Sequence, residues 1–256
     1  MDNDTLGLAN KVALVTGASR GIGRAVVDLF ASLGTNVAVN YVHDAEAANK
    51  AIEAAETKGI KAFAIQGDIS KLDEGERVVK ETHEHFGRLD FLICNAGIWE
   101  GDSVEAISEE LWDRTMAINL KGTWTVCRAA VPIMKEQEYG RIIIVSSTAG
   151  QRGEAKVSNY AASKGGQISF TKSLAPELAP FGINVNCVAP GWVDTDLNDG
   201  VFTDKTRLES ILQTIPLRRI GQPAELAWPI VFLCSSGASY ITGEVFNVNG
   251  GSVLCG

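Results

Sequence analysis

Seven short apolar runs are spaced along the chain, at 12–16, 36–41, 61–66, 89–94, 141–145, 183–188 and 245–248. Runs that short and that continuously apolar read as strands buried on both faces. Between them lie helix-forming stretches at 24–33, 45–58, 72–86, 108–134, 160–178 and 224–234. Gly34, Gly59 and Gly87 follow the first three, where a left-handed residue ends a helix without a Cβ penalty. Gly122 punctuates the long fourth stretch, and Pro223 stands where a first helical turn tolerates it. Pro229, inside the last helix, is expected to kink it. From Pro190-Gly191 to Gly221 the pattern is irregular. Strand and helix in alternation require a parallel sheet covered by helices on both faces. No linker, composition shift or internal repeat interrupts that order. The expected fold class is α/β: a single doubly wound domain over residues 1–256, its parallel sheet flanked by helices.

A chain of 256 residues holds one sizeable core and is short for two ordinary domains. A formal net charge of −8 argues against a nucleic-acid partner or an anionic membrane surface, since both reward clustered Lys and Arg. The polar, acidic start lacks the basic residues and apolar stretch of a signal peptide. No apolar run approaches the roughly 20 residues that span a bilayer. Cys94, Cys127, Cys187, Cys234 and Cys255 are odd in number and scattered, fitting neither a disulfide framework nor a metal site. They read as buried reduced thiols, so a reducing, cytoplasmic compartment is expected and no metal is.

In an open parallel sheet, ligands bind beyond the carboxyl ends of the strands, where strand order reverses. The first strand-to-helix turn there reads Gly17-Ala-Ser-Arg-Gly21-Ile-Gly23. Its glycines let the backbone approach a pyrophosphate, and the following helix offers free N–H groups and the positive end of its dipole. The spacing is Gly-x-x-x-Gly-x-Gly, not the three-glycine pattern of most dinucleotide folds. A second chemical site lies between Ser147 and Lys164. Tyr160 and Lys164, four residues apart, share one helix face. There the ammonium can favour ionisation of a phenol whose ordinary pKa is about 10. Ser147 can hydrogen-bond the same substrate oxygen, which makes a proton-transfer site that lacks only an electron source.

Thr16-Gly17-Ala-Ser-Arg-Gly21-Ile-Gly23, Asn95-Ala-Gly97, Asn119, Ser147, Tyr160-x-x-x-Lys164 and Pro190-Gly191 together resemble the motif set of the short-chain dehydrogenase/reductases. They occur in the family's order and cover nearly the whole chain. The resemblance implies a Rossmann-type domain, usually a homotetramer, that exchanges hydride between NAD(H) or NADP(H) and a carbonyl or alcohol. It implies Asn119, Ser147, Tyr160 and Lys164 as catalytic residues: Tyr160 as general acid or base with its pKa lowered by Lys164, and Asn119 holding a water that links Lys164 to solvent. Cofactor contacts are implied at Gly17, Ser19, Arg20, Gly21, Ile22 and Gly23, and at Asn40 and Tyr41 ending the second strand. Asp68 and Ile69 would edge the adenine, with Asn95, Ala96 and Gly97 beside the adenosine. Tyr160, Lys164, Pro190, Gly191, Val193 and Thr195 would lie at the nicotinamide side.

An acidic residue ending the second strand would bind the ribose diol and repel a 2′-phosphate. Asn40 and Tyr41 stand there instead, and Arg20 can meet a phosphate with its planar fork, so NADP(H) is preferred and NAD(H) remains open. Arg20 can equally be a solvated loop charge, and Asp44 can cap the next helix. Within the family the chain is most similar to the 3-oxoacyl-(acyl-carrier-protein) reductase branch, through Gly182-Ile-Asn-Val-Asn186, Val188-Ala-Pro-Gly191 and Tyr240-Ile-Thr-Gly243. A 3-oxoacyl-type substrate, free or carrier-linked, is therefore expected. A sugar or secondary-alcohol dehydrogenase is the alternative, and a noncatalytic nicotinamide-binding subunit a remote one. Glu136, Glu138 and Glu177 fall where carrier-using relatives are basic, leaving Arg128, Arg141, Arg152 and Lys172 as docking candidates. Trp99, Gln151, Glu154, Lys156, Trp192 and a lid over 194–213 are expected at the substrate rim. Trp99 and Trp192 either stack on substrate or fill core space.

Overall fold

The computed structural model describes residues 4–254. Strands β1 (Val12–Val15), β2 (Asn36–Tyr41), β3 (Ala62–Gln66), β4 (Phe91–Cys94), β5 (Gly140–Val145), β6 (Ile183–Pro190) and β7 (Val245–Val248) form one sheet. Their order is β3-β2-β1-β4-β5-β6-β7, and every neighbouring pair runs parallel. The chain builds outward from β1 to β3 and then returns to place β4 on the other side of β1. That reversal opens a crevice beyond the carboxyl ends of β1 and β4.

The strand residues alternate between two cores, as a pleated strand requires. On one face Ala13, Val15, Phe91, Ile93, Ile143 and Val145 meet α1 (Gly21–Ser32), α2 (Ala45–Glu56) and, through Leu226, Ile230 and Val231, the C-terminal helix Pro223–Cys234. On the other, Leu14, Leu92, Cys94, Ile142 and Ile144 meet α3 (Leu72–Phe86) and the helices Gly122–Glu136 and Ser158–Leu178. Both faces of β1, β4 and β5 are fully covered. Burying each such Val, Ile, Leu or Phe contributes about 1.5–3 kcal/mol, which holds the strand ends, and thus the crevice, in place.

The stretch expected as one long helix is three pieces. α4 (Glu109–Thr115), capped by Ser108, passes into a π turn at Met116–Lys121 and on into α5 (Gly122–Glu136). A short α6 (Thr148–Arg152) precedes α7 (Ser158–Leu178). The segment expected to be irregular contains α8 (Asp199–Phe202) and α9 (Lys205–Thr214). Asp204 caps α9 by accepting from Arg207 N at 3.1 Å. Val201, Ile211 and Ile215 bury together against Trp99, Trp192 and Phe202. Last comes α10 (Pro223–Cys234), which continues through Pro229.

Cys94, Cys127, Cys187 and Cys234 are free and buried, whereas Cys255 lies outside the described residues. Among the described residues no group of three or more His, Cys, Asp or Glu could hold a metal ion, and no helix is long and apolar enough to cross a membrane.

Candidate active site

A cleft of about 1020 Å³ opens at the β1/β4 crevice and takes in both sites expected from the sequence. Gly17, Ser19, Arg20, Gly21 and Ile22 line one end, and Ser147, Tyr160 and Lys164 the other. Asn40, Tyr41, Asp68, Ile69, Asn95, Ala96, Gly97, Pro190, Gly191, Val193 and Thr195 also face it. Gly23 and Asn119 do not line the cleft and act from behind it.

The glycine loop is shaped for a close-lying ligand. Gly17 and Gly21 have φ of +61° and +58°, in the left-handed region that side chains resist. A Cβ on Gly23 would lie 2.6 Å from both Asn95 Nδ2 and Gly17 O, so this glycine lets α1 seat against β1 and β4. Thr16 Oγ1 accepts from the backbone N–H of Asn95 at 3.0 Å and of Ala96 at 3.1 Å. Asn95 Nδ2 donates to Thr16 O and Gly17 O, each at 3.0 Å. Asn95 thus pins the loop from below. Arg20, at the N-cap of α1, offers no side-chain cap, so the first-turn N–H groups of this helix stay open toward the cleft. The residues present fit a dinucleotide pyrophosphate at this point.

At the end of β2, Asn40 is buried, and its Nδ2 donates to Ile65 O at 3.3 Å and Gly67 O at 3.0 Å, tying β2 to β3. Asp44 caps α2 by accepting from Ala47 N at 2.9 Å. Arg20 Nη1 pairs with Asp196 at 3.3 Å, an exposed contact that links the glycine loop to the segment after β6.

Ser147 lies two residues beyond β5 and is the N-cap of α6, where its Oγ accepts from Ala149 N at 3.1 Å. Tyr160 rises from the first turn of α7 and is almost wholly buried. Burial pushes its phenol up to about 12, and only a hydrogen bond with Ser147 opposes that. Lys164 Nζ donates to Val145 O at 2.8 Å and lies 5.6 Å from the Tyr160 ring centre. Burial lowers its ammonium to about 8, against the opposing influence of Cys187 and Cys94. Desolvation dominates at both groups, raising the phenol and shifting the lysine toward neutrality.

Asn119 is held firmly in place. Its Oδ1 accepts from Ile98 N at 2.8 Å, and its Nδ2 donates to Ile98 O and Ser163 Oγ, each at 3.0 Å. Both ends of the side chain are taken by protein, so it clamps the loop after β4. Two residues with no motif to reveal them complete this framework. Ser146 Oγ donates to Lys164 O at 2.8 Å, and Ser163 Oγ donates to Tyr160 O at 2.7 Å.

The substrate rim is more paired than the sequence suggested. Arg152 binds Glu154 at 2.7 Å and Arg114 binds Glu100 at 3.4 Å. Trp99 and Trp192 meet edge to face with ring centres 6.0 Å apart, and Trp192 meets Phe202 likewise. They line the cleft while packing against Val201, Ile211 and Ile215, so they fill space at its rim. Gln151 and Lys156 do not line the cleft; Gln151 Nε2 instead donates to Asn247 Oδ1 at 2.7 Å. Of the four docking candidates, Arg141 is buried with its Nη1 on Gly140 O and Gly182 O, and Arg128 pairs with Glu76. With Arg152 also paired, Lys172 is the exposed cation of that set with no ion pair among the described residues.

The arrangement is similar to known proteins over nearly its whole length. A family profile described as Enoyl-(Acyl carrier protein) reductase matches residues 17–252. The 3-oxoacyl-(acyl-carrier-protein) reductase FabG of Staphylococcus aureus strain Mu50 is 44% identical over 244 residues, covering 95% of this chain and 98% of that one. The 3-oxoacyl-(acyl-carrier-protein) reductase of a Synechocystis species is 42% identical over 248 residues, covering 96% and 98%. A crystal structure of a dehydrogenase/reductase from Sinorhizobium meliloti 1021 superposes with a TM-score of 0.92 at 33% identity, covering 98% of each chain.

Proposed function

The chain belongs to the short-chain dehydrogenase/reductase family of oxidoreductases that interconvert CH–OH and C=O groups, and from that membership we propose an NADPH-dependent ketone reductase of the 3-oxoacyl type. One observation carries the reading: the Ser147 and Tyr160 side chains, each bearing a hydroxyl, line the same cleft as the glycine loop. A carbonyl oxygen between those hydroxyls would be held by two donors, one of which can part with its proton.

A nicotinamide cofactor held along the glycine loop would supply the hydride. Ser147 orients the carbonyl oxygen, and Tyr160 gives that oxygen its proton as negative charge develops on it. At neutral pH the buried phenol is protonated, which suits an acid. Lys164, fixed on Val145 O, stands beside the Tyr160 ring, its Nζ 5.6 Å from the ring centre. Asn119 and Ser163 hold the helix and loop that carry these atoms. Gly17, Ser19, Arg20, Gly21, Ile22 and Gly23 would hold the pyrophosphate, and Pro190, Gly191, Val193 and Thr195 the nicotinamide side.

Preference for NADPH follows from the absence of a carboxylate on Asn40 or Tyr41 and from the exposed Arg20 guanidinium, although Arg20 must share itself with Asp196. Similarity to carrier-protein reductases favours a 3-oxoacyl thioester. The pairing of Arg128 and Arg152 and the burial of Arg141 favour a second reading, a free ketone or secondary alcohol without a carrier protein. Exposed Trp112, Trp124 and Phe181 on one side and Trp228, Phe232, Phe246 and Tyr240 on another support a homotetramer, and the free thiols support a cytoplasmic setting. A panel of 3-oxoacyl thioesters, free ketones, sugars and secondary alcohols, assayed with NADPH and NADH in parallel, tests cofactor, direction and substrate class together. Turnover of 3-oxoacyl thioesters with NADPH is expected. Turnover of alcohols with NAD alone would replace this reading with the second.

A further inference from the structure

The catalytic helix meets the π turn along a row of buried polar side chains that apolar packing does not call for. Thr115, Asn119 and Thr123 recur every four residues through the turn, and Asn159, Ser163, Gln167 and Thr171 recur every four along α7. None of the seven is more than 1% exposed. They pair as rungs. Asn159 Nδ2 donates to Thr115 Oγ1 at 2.9 Å, Asn119 Nδ2 to Ser163 Oγ at 3.0 Å, and Gln167 Nε2 to Thr123 Oγ1 at 2.8 Å. Gln167 Nε2 also reaches the backbone carbonyl of Asn119 at 2.7 Å, which Thr123 Oγ1 joins at 2.8 Å.

The row keeps costly features. Gln167 Oε1 and Asn159 Oδ1 are buried without a partner, and each such acceptor costs about 1–3 kcal/mol. Turning the Gln167 amide over would set its oxygen against the Asn119 carbonyl, so the network fixes its orientation. A methionine of similar length would fill the same space without an orphan. What Gln167 adds is a donor aimed at the π turn, a geometry that is rare and concentrated at functional sites.

From Asn119 the rigidity passes in two directions. Its side chain clamps Ile98 through two hydrogen bonds, next to Gly97 on the cleft wall. It also holds Ser163, whose hydroxyl donates to the backbone of Tyr160. A Cβ placed on Gly97 would be 3.2 Å from Asn119 Oδ1 and 3.5 Å from Lys164 Nζ, so loop, amide and ammonium are packed together.

Resting on the reductase reading, we propose that Gln167 is a positioning residue for proton transfer: its amide holds the Asn119 carbonyl at the π turn and thereby sets the relative height of Ile98, Tyr160 and Lys164. Gln167 touches neither substrate nor cofactor. A 1 Å misplacement of reacting groups is enough to slow an enzyme about 100-fold, so a remote donor can matter this much.

Three variants test this. Gln167→Met keeps the volume and removes the donor. Its kcat for ketone reduction falls about 10- to 100-fold while NADPH binding holds, and the Ile98 amide exchanges its hydrogen faster than in wild type. Gln167→Glu can donate to the Asn119 carbonyl only when protonated, so its kcat relative to wild type recovers as pH falls. Thr171→Val, which removes the Thr171 Oγ1 bond to Gln167 O at 2.9 Å on the same row, lowers stability and leaves kcat at the wild-type value. A Gln167→Met enzyme with wild-type kcat, unchanged Ile98 exchange, or a kcat loss matched by Thr171→Val would overturn the proposal. If Gln167→Met does not fold, the pH response of Gln167→Glu decides, a flat ratio counting against it. If the wild type reduces no ketone, the reductase reading fails, while Ile98 exchange still judges the clamp.

Discussion

Burial pushes Tyr160 and Lys164 toward their uncharged forms, the phenol up and the ammonium down, but at neutral pH only the phenol is uncharged and the ammonium stays mostly protonated. A phenol shifted up to about 12 is an acid held ready at neutral pH. Ketone reduction should therefore be level between about pH 6 and 8, and alcohol oxidation, which needs the phenolate, should climb as pH rises. Initial rates in both directions across pH check this. Tyr160→Phe should slow turnover by a factor of about 100 to 10,000, with NADPH affinity nearly unchanged. Lys164 carries a stability consequence as well. Folded, it loses its proton at about 8; unfolded, at its ordinary 10.5. Between those values the unfolded chain binds more protons, so this group's contribution is most unfavourable below pH 8 and improves as pH rises through the window. Wild type should gain stability on Lys164→Met from pH 8 to 10.5 in paired denaturation curves; a constant difference would contradict the burial of a titrating ammonium. The residues that carry this chemistry were legible because their spacing is fixed by one helix face. Their pKa values were not, because desolvation depends on β5, β6 and the β4 loop closing around them. Arg141 shows the same limit: by type it belongs at the surface, and only the packing of Tyr139 and Gly182 reveals it as buried.

The glycine loop and the segment after β6, through Asn198, wall the cleft. Gly23→Ala should cost about 1–3 kcal/mol of stability, since the new methyl meets Asn95 and the Gly17 carbonyl at 2.6 Å, and it should weaken NADPH binding with it. Thermal denaturation with and without NADPH separates the two effects. Helices α8 and α9 rest on Trp99, Trp192 and Phe202 and are tied to the loop through Arg20 and Asp196. Limited proteolysis between 196 and 214 should slow when NADPH and a ketone are both present; equal cleavage would argue against a lid. The strands and long helices were readable from apolar runs and terminal glycines. The lid helices were not, because Gly200 and the polar residues around Asp204 look like loop until Val201, Ile211 and Ile215 are seen sharing one buried side. The π turn was hidden for a related reason. Its support comes from Gln167, 48 residues further along the chain, and no local pattern announces it.

At the scale of the whole molecule, the reversal of strand order beside β1 brings residues near 20, 95, 147 and 190 to one crevice. Alternation foretold the parallel sheet and a ligand beyond its strand carboxyl ends, while the meeting of those four places was implied by the family resemblance. The apolar side chains left outside, among them Trp228 and Tyr240, predict association: sedimentation should give a four-chain mass, and Trp228→Glu should lower it. The central claim is that one cleft transfers hydride from NADPH and a proton from Tyr160 to the same ketone. Its most direct test is NADPH oxidation by a 3-oxoacyl thioester, followed in wild type and Tyr160→Phe with NADPH binding measured on both. Wild type is expected to turn over, Tyr160→Phe to be slower by about 100- to 10,000-fold, and the two to bind NADPH equally. Wild-type turnover by Tyr160→Phe, or NADPH bound without oxidation across the whole carbonyl panel, would contradict it.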